Sequence, residues 1–101
     1  YVGQFVENLA VVIDRRGGHA EAEPLLREAL RIKTAALGAR NPSVALLQRN
    51  LAANRHAVGA HAEAEPLLRE AVATLEAAYG RESMFTALAM ASLGRTLTVR
   101  G

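Results

Sequence analysis

The sequence contains no cysteine, and this absence excludes several classes of small protein. A chain without thiols has no disulfide scaffold, no zinc finger, no iron–sulfur site and no cysteine nucleophile. Only four residues are aromatic, two Tyr and two Phe, and β-branched residues are scarce. Because strands are enriched in these residue types, the composition argues against an all-β domain.

Long apolar runs and a strong charge of one sign are missing too. The longest stretch without a charged residue covers residues 83–94, twelve residues, whereas a membrane span needs about 20. Twelve basic and ten acidic side chains leave a formal charge of +2, which is weak support for a nucleic-acid partner. No secretory signal pattern opens the chain. We therefore expect no membrane, no nucleic acid and a cytoplasmic location.

Residues that favour helices make up most of the chain. Half of the sequence is hydrophobic, and 21 Ala and 14 Leu supply most of that half. With Arg and Glu, these residues have high helix propensity. Arg occurs eleven times and Lys once, which resembles a GC-rich bacterial coding bias. A chain of 101 residues is about one small domain, so we expect a single all-α domain.

An internal repeat organises the sequence. Residues 19–29, with the sequence HAEAEPLLREA, return unchanged as residues 61–71. The same offset carries residues 8–10 onto residues 50–52, and a further step of equal length reaches Leu93-Gly94. The chain therefore contains two full units and the first part of a third.

The residue pattern of each unit predicts two helices, here called A and B in chain order. Apolar residues three and four positions apart form one face of a helix. In the first A helix they are Val2, Phe5, Val6, Leu9, Val12 and Ile13. In the first B helix they are Ala22, Leu25, Leu26, Ala29, Ile32 and Ala36. We expect five helices, at about residues 2–16, 20–37, 43–57, 62–79 and 84–100.

Stop and start signals set these boundaries. Gly17 and Gly38 suit the position just after a helix. Asn41 followed by Pro42 is typical of an N-cap and a first-turn proline, and Ser83, one repeat unit after Asn41, is a second N-cap candidate. The short linkers should make consecutive helices antiparallel.

Two prolines fall inside the predicted B helices. Pro24 and Pro66 each remove an amide donor and disfavour helix at the preceding residue. Either the B helices begin nearer to Glu23 and Glu65, or their first turn is slightly distorted. We favour the second interpretation, because Ala22 and its counterpart in the next unit fit the apolar stripe.

The pattern of small and large residues resembles the tetratricopeptide repeat. The residues that carry the resemblance are Leu9, Ala10, Gly17, Ala22, Leu26 and Ala29, with their counterparts Leu51, Ala52, Gly59, Ala64, Leu68 and Ala71. The common repeat is shorter, at about 34 residues. The 42-residue version here, with EAEPLLREA at residues 21–29 and LGARNPSVA at residues 37–45, is similar to kinesin light chain-type repeats, which also occur in many bacterial signalling proteins.

This resemblance implies an α-solenoid of antiparallel helix pairs in two and a half repeats. The first repeat covers residues 1–42, the second residues 43–84, and the partial third residues 85–101. Leu9, Leu26, Leu51 and Leu68 should fill the space between layers, while Ala10, Ala52 and Gly94 should let the helices approach Ala22 and Ala64 closely. Arg55 departs from the pattern, since Ile13 and Leu97 supply core at its position. We favour an Arg55 side chain that snorkels to water over one that makes a functional contact.

The sequence shows no catalytic or metal-binding constellation. Three histidines are present, and the equivalent positions of His19 and His61 indicate a capping or turn role. His56 can approach His61 across a turn, but no third ligand stands at metal spacing. Glu23 and Arg27 form an i,i+4 pair typical of a solvated helix face, and the second unit repeats it. We expect no catalytic residue, no metal, no cofactor and no enzymatic activity.

In tetratricopeptide arrays the A helices line a concave groove that holds a peptide or a partner helix. The resemblance maps this groove onto Gln4, Glu7, Asn8, Val11, Arg15, Leu46, Arg49, Asn50, Ala53, Ala57, Leu88, Ala91, Ser92 and Arg95. An amide at Asn50 can bond both a donor and an acceptor of a peptide backbone. Arg49 and Arg95 can each grip a carboxylate. The alternative is that these polar groups merely solvate the helix surface.

Two functional classes remain. The leading one is a protein-interaction scaffold that binds a peptide or a partner protein in the groove, where an acidic peptide is the natural ligand for the arginines. The other is a structural or oligomerising segment of a larger array, such as the regulatory part of a multidomain bacterial signalling protein. Because the array stops on A helices, uncovered apolar faces are expected at Tyr1, Val2, Phe5, Met90, Leu93 and Leu97. Either the chain self-associates through its terminal helices, or it is a piece of a longer array that covers them.

Overall fold

A computed structural model describes residues 2–100, and the side chains of residues 3–99. This part of the chain forms five α-helices and no strand. The helices are α1 (Val2–Arg15), α2 (His19–Leu37), α3 (Pro42–Ala57), α4 (His61–Tyr79) and α5 (Met84–Arg100). The all-α prediction is confirmed, and every helix boundary lies within one residue of its prediction. The predictions for Tyr1 and the side chain of Val2 fall outside the described residues.

Helix ends follow the local sequence signals. Asn41 caps α3, since its Oδ1 accepts a hydrogen bond from the Ser43 amide at 2.8 Å. Ser83 caps α5 in the same way, with its Oγ 3.2 Å from the amide nitrogen of Phe85. Gly38 takes a φ of 92° after α2 and donates to the Thr34 carbonyl. A residue with a side chain would be strained in that backbone conformation, so glycine suits the position directly after the helix.

Pro24 and Pro66 lie inside continuous helices, as the favoured interpretation predicts. Both helices begin five residues before their proline, at His19 and His61. The missing amide of Pro24 leaves the Ala20 carbonyl without its helical donor, and Ala20 is exposed, so water can satisfy it. The cost of the proline is therefore small at this end of the helix.

The helices are arranged in two layers. Helices that follow each other along the chain pack together, as expected for antiparallel hairpins, and α3 also touches α1 and α5. The A helices α1, α3 and α5 therefore form one layer, and the B helices α2 and α4 form the other. Because α3 contacts all four other helices, it is the centre of the structure.

Alanine and leucine build the core at the predicted positions. One buried cluster between α1, α2 and α3 contains Ala10, Ala22, Leu26, Ala29, Leu47 and Leu51. A second cluster, between α3, α4 and α5, contains Ala45, Ala71, Leu75 and Ala89. A third, between α3 and α4, contains Ala52, Ala64 and Leu68. The predicted burial of Leu26, Leu51 and Leu68 is confirmed. So is the predicted close approach of small residues at the two complete hairpins.

The prediction for Leu9 is wrong. Leu9 is 45% exposed although its counterpart Leu51 is 1% exposed, and Phe5 is 70% exposed. The reason is that α3 lies between two B helices, whereas only one B helix, α2, packs against α1. The other side of α1 is buried instead, at Gly3, Glu7 and Ala10.

Three smaller expectations at the helix surfaces also fail. Ala36 and Gly94 are exposed, because each reaches a region without a covering helix. Leu93, expected on an uncovered face, packs instead against the cluster of Ala52, Ala64 and Leu68.

The Arg55 side chain does not snorkel to water. Only 13% of it is exposed, and its Nε and Nη2 donate to the Oδ1 of Asn54 at 3.0 and 2.7 Å. Asn54 is fully buried, and its Nδ2 donates to Asp14 Oδ1 and to the His19 carbonyl, both at 2.8 Å. This network ties the turn of the first hairpin to α3. His19 Nδ1 lies 2.7 Å from the same Asp14 oxygen, which confirms its predicted turn role.

A buried ion pair joins the first two helices. Lys33 of α2 bonds the carboxylate of Glu7 of α1, and both side chains are almost fully buried. In the second hairpin the equivalent positions hold Leu75 and Arg49. Leu75 is buried in the core. The two repeat units therefore differ at a buried position where a charge is costly.

Replacing Glu7 with Ala should destabilise the chain by about 3–5 kcal/mol, because the Lys33 ammonium then stays buried without its partner. The double variant Glu7→Ala, Lys33→Leu should recover most of this loss, since Leu already fills the equivalent position 75. Urea unfolding followed by circular dichroism measures both. If the double variant is no more stable than the single one, packing rather than the unpaired charge causes the loss.

Candidate functional site

The candidate site is the surface of the A-helix layer. Four of the predicted groove residues meet at one cavity of ≈ 310 Å³ between α3 and α5, namely Ala53, Ala57, Ser92 and Arg95. His56 of α3 and Leu68 of α4 complete its lining. The predicted groove therefore contains a formed cavity at its second and third repeats.

Arg95 is the cationic group of this cavity. It is exposed, and its Nη2 donates to the Ser92 Oγ at 3.3 Å, one turn earlier on α5. That bond uses only one of the five N–H donors of a guanidinium. The remaining donors can bind an acidic group placed over the cavity.

His56 forms the cavity wall next to the second hairpin turn. Its Nε2 lies 2.6 Å from the Oγ1 of Thr96, which is fully buried on α5. Its ring meets the edge of the His61 ring at a centroid distance of 4.3 Å. The predicted approach of the two histidines is confirmed. The pKa of His56 lies below its ordinary value. Burial has the largest effect, followed by the neighbouring His61 and then by the Arg95 guanidinium.

Two further α3 groove residues, Arg49 and Asn50, are half-buried and do not line the cavity. The Nε of Arg49 is buried and has no hydrogen-bond partner within the described residues. Beside it, the Nε2 of Gln48 donates to Glu70 of α4 at 2.8 Å, while the Gln48 Oε1 is buried and unpartnered within residues 2–100. Arg49 and Arg95 thus lie at separate places along the groove.

The α1 part of the predicted groove is a more ordinary helix surface. Gln4 and Asn8 are exposed and bond each other, with 3.0 Å between Gln4 Nε2 and Asn8 Oδ1, and Arg15 is exposed. Val11 is half-buried. The carboxylate of Glu7 is occupied by Lys33, so it adds little negative charge to the surface.

The two leucines of the predicted groove differ in their surroundings. Leu46 is half-buried against Ala45 and its neighbours, whereas Leu88 is 44% exposed. Ala91 is exposed on α5. The groove positions therefore range from core to open surface.

The described part of the chain offers few other candidate binding groups. Residues 2–100 hold no group of three His, Asp or Glu side chains placed to bind a metal ion. Two of the carboxylates form the predicted i,i+4 pairs, Glu23 with Arg27 and Glu65 with Arg69, the second at 2.8 Å. None of the five helices combines the length and apolarity that a bilayer crossing requires.

These features define an array of antiparallel helical hairpins. A family model described as tetratricopeptide repeat matches residues 4–77. The chain belongs to the tetratricopeptide repeat family. Such repeats generally mediate protein–protein interaction, and the family typically serves as a non-catalytic scaffold. A search of curated proteins found no match.

The lowered pKa of His56 predicts a loss of stability in mild acid. The unfolded chain takes up the proton near pH 6.5, whereas the folded chain resists it until the pH falls further. The free energy of unfolding should therefore decrease as the pH falls through about 6.5, and level off below the folded pKa. In His56→Gln, which cannot titrate there, this decrease should shrink.

Urea melts from pH 8 to 5 measure the effect as the difference between the parent and variant curves. Val58→Gln is the control, because it introduces the same side chain at an exposed position near the same hairpin turn and removes no ionisable group. Parallel curves for the parent and His56→Gln would contradict the assignment.

Proposed function

We propose that the chain is an interaction scaffold that binds an extended peptide, or an extended segment of a partner protein, across its A helices. The observation that carries this proposal is the cavity between α3 and α5. It combines small apolar walls at Ala53 and Ala57 with the hydroxyl of Ser92 and the guanidinium of Arg95. Such a mixture suits a peptide, whose backbone needs polar partners and whose side chains need apolar contact.

The charge of the groove favours an acidic partner. Arg15, Arg49 and Arg95 are the basic residues of the predicted groove, and Glu7 is its one acidic residue. Because Lys33 binds the Glu7 carboxylate, the surface presented to a ligand is positive. A peptide with Asp, Glu or a free C-terminal carboxylate therefore complements it.

The length of the repeat unit supports a finer assignment within the family. We assign the chain to the kinesin light chain-type subclass, because it has the EAEPLLREA and LGARNPSVA segments at the spacing typical of those repeats. The dominance of Arg over Lys, with so much Ala, favours a bacterial origin. A cytoplasmic interaction module is the role that this assignment implies.

A second role rests on the ends of the array. The face of α1 with Phe5, Leu9 and Val12 is apolar and exposed, although the equivalent face of α3 is buried. Uncovered apolar patches are typical of interfaces. In this role the terminal helices join the chain to a second copy, as an oligomerising segment of a larger assembly.

Reversing both charges in Arg49→Glu, Arg95→Glu should weaken the binding of an acidic peptide by about tenfold or more, because charge-assisted hydrogen bonds contribute about 1.5–3 kcal/mol each. A peptide selected from a displayed random library is the ligand, and fluorescence anisotropy measures its affinity.

The matched control is Arg40→Glu, Arg81→Glu, which makes the same charge change in the loops between helices. Circular dichroism verifies that each variant folds. Equal affinities of the parent chain and the groove variant would remove these arginines from the proposed function.

The second role predicts that the average mass in solution rises with protein concentration, which light scattering measures. Phe5→Glu should suppress the rise, because it places a charge on the exposed apolar face of α1. Gln4→Glu is the control, since it adds the same charge at a neighbouring exposed position. A constant monomer mass at millimolar concentration would exclude association through α1.

A further inference from the structure

We propose that peptide binding in the groove is linked to the uptake of a proton, because a carboxylate of the peptide binds between Arg95 and the protonated ring of His56. This inference rests on the proposed function and adds to it a pH dependence and the residue that causes it. The site is the cavity of ≈ 310 Å³ between α3 and α5. Among the described residues that line it, Arg95 is the one permanent cation, His56 is the one imidazole, and none is acidic.

The first hairpin turn has a carboxylate at the position of His56. One repeat unit before His56 stands Asp14. Its Oδ1 lies 2.7 Å from the Nδ1 of His19 and accepts a hydrogen bond from the Nδ2 of Asn54 at 2.8 Å. The imidazole of the first turn therefore has an anionic partner within the chain.

The second hairpin turn keeps this arrangement but not the carboxylate. The counterparts of His19 and Asn54 are His61 and Thr96. The His61 ring meets the ring of His56 at a centroid distance of 4.3 Å, and its Nδ1 is buried without a hydrogen-bond partner within the described residues. The second repeat unit thus replaces an anion with a group that becomes a cation when it is protonated.

The hydrogen bonds of Thr96 assign the nitrogen of His56 that takes up the proton. The Thr96 hydroxyl donates its one hydrogen to the Ser92 carbonyl at 3.1 Å, so its oxygen accepts from the Nε2–H of His56 at 2.6 Å. In the neutral ring, Nδ1 is then the basic nitrogen. Protonation of Nδ1 leaves the bond to Thr96 intact, so the ring gains a charge and keeps its place in the cavity wall.

The groups around His56 favour the neutral ring in the free chain. Burial has the largest effect on its pKa, and His61 of α4 and Arg95 of α5 lower that pKa further. Arg55, the preceding residue of α3, lies 3.9 Å from Glu63 of α4. A carboxylate in the cavity reverses the balance, because an opposite charge favours the protonated form.

The sign of the pH dependence follows from this balance. Binding of the carboxylate raises the pKa of His56, so the complex holds a proton that the free chain has released. The affinity should therefore increase as the pH falls through this range. It levels off once the ring is protonated in the free chain as well.

The test measures the affinity of the intact chain from pH 8 to 5.5 in fluorescence anisotropy titrations. The probe is the acidic peptide selected for the groove, labelled with a rhodamine whose emission does not change in this range. Its dissociation constant should fall by about fivefold to tenfold between pH 7.5 and 5.5, since a shift of one pKa unit in the complex corresponds to a tenfold change. For His56→Gln the change should stay below about twofold, because no group in the cavity then titrates.

Two controls accompany this measurement. His19→Gln removes a histidine that does not line the cavity, so it should keep the full pH dependence. Circular dichroism at each pH verifies that the chains are folded. As an independent readout, the Cε1–H resonance of His56 should titrate at higher pH with saturating peptide than without it.

Two variants of the peptide identify the source of the carboxylate. One has a C-terminal amide, and the other has Asn and Gln in place of its Asp and Glu residues. The variant that lacks the bound carboxylate should bind more weakly and without pH dependence, whereas the other should bind as the parent peptide does.

Three results would overturn the inference. Equal affinities at pH 7.5 and 5.5, with Arg95→Glu still weakening the peptide, would exclude the proton linkage and leave the proposed function standing. A pH dependence that persists in His56→Gln, or a His56 resonance that titrates at the same pH with and without peptide, would exclude His56 as its cause. The absence of binding of any acidic peptide at either pH would overturn both the linkage and the proposed function.

Discussion

Contact between alanine-bearing helix faces is the constraint on which the rest of the structure depends. Ala52 of α3 meets Ala64 of α4, and Ala10 of α1 meets Ala22 of α2, all without exposed surface. Because neither member of each pair projects beyond Cβ, the backbones approach closely and the larger Leu side chains fill the spaces beside them. The same spacing brings α3 and α5 side by side, which creates the cavity of the candidate groove.

Sequence reasoning succeeded where the signal is local or repeated. Caps, stops and helix lengths depend on neighbouring residues, and the constant offset between the repeat units fixes which helices are equivalent. It failed for Leu9, because periodicity shows that a face is apolar but not whether another helix covers it. It also missed the burial of Lys33 and Asn54, since a polar residue inside a core is explained only by its partners, Glu7 and Asp14.

The candidate site was partly accessible to the same reasoning. The resemblance selected Ala53, Ser92 and Arg95 from two helices, and the structure brings them to one cavity. The resemblance does not place His56 in the groove, although His56 lies one turn after Ala53 and therefore on the same side of α3. That spacing is the signal that identifies it. The neighbouring Thr96 could not be found from sequence, because its contact with His56 depends on how α5 lies across α3.

The ion pair between Lys33 and Glu7 has a consequence for folding. Residues 19–29 and 61–71 are identical, so nothing in the first half of the two B helices distinguishes one from the other. Beyond that half, Lys33 attracts Glu7 of α1 but would meet Arg49, a like charge, in the pairing position on α3. The charge therefore labels one copy of a duplicated segment, because Lys33 finds its counter-ion only when α2 pairs with α1.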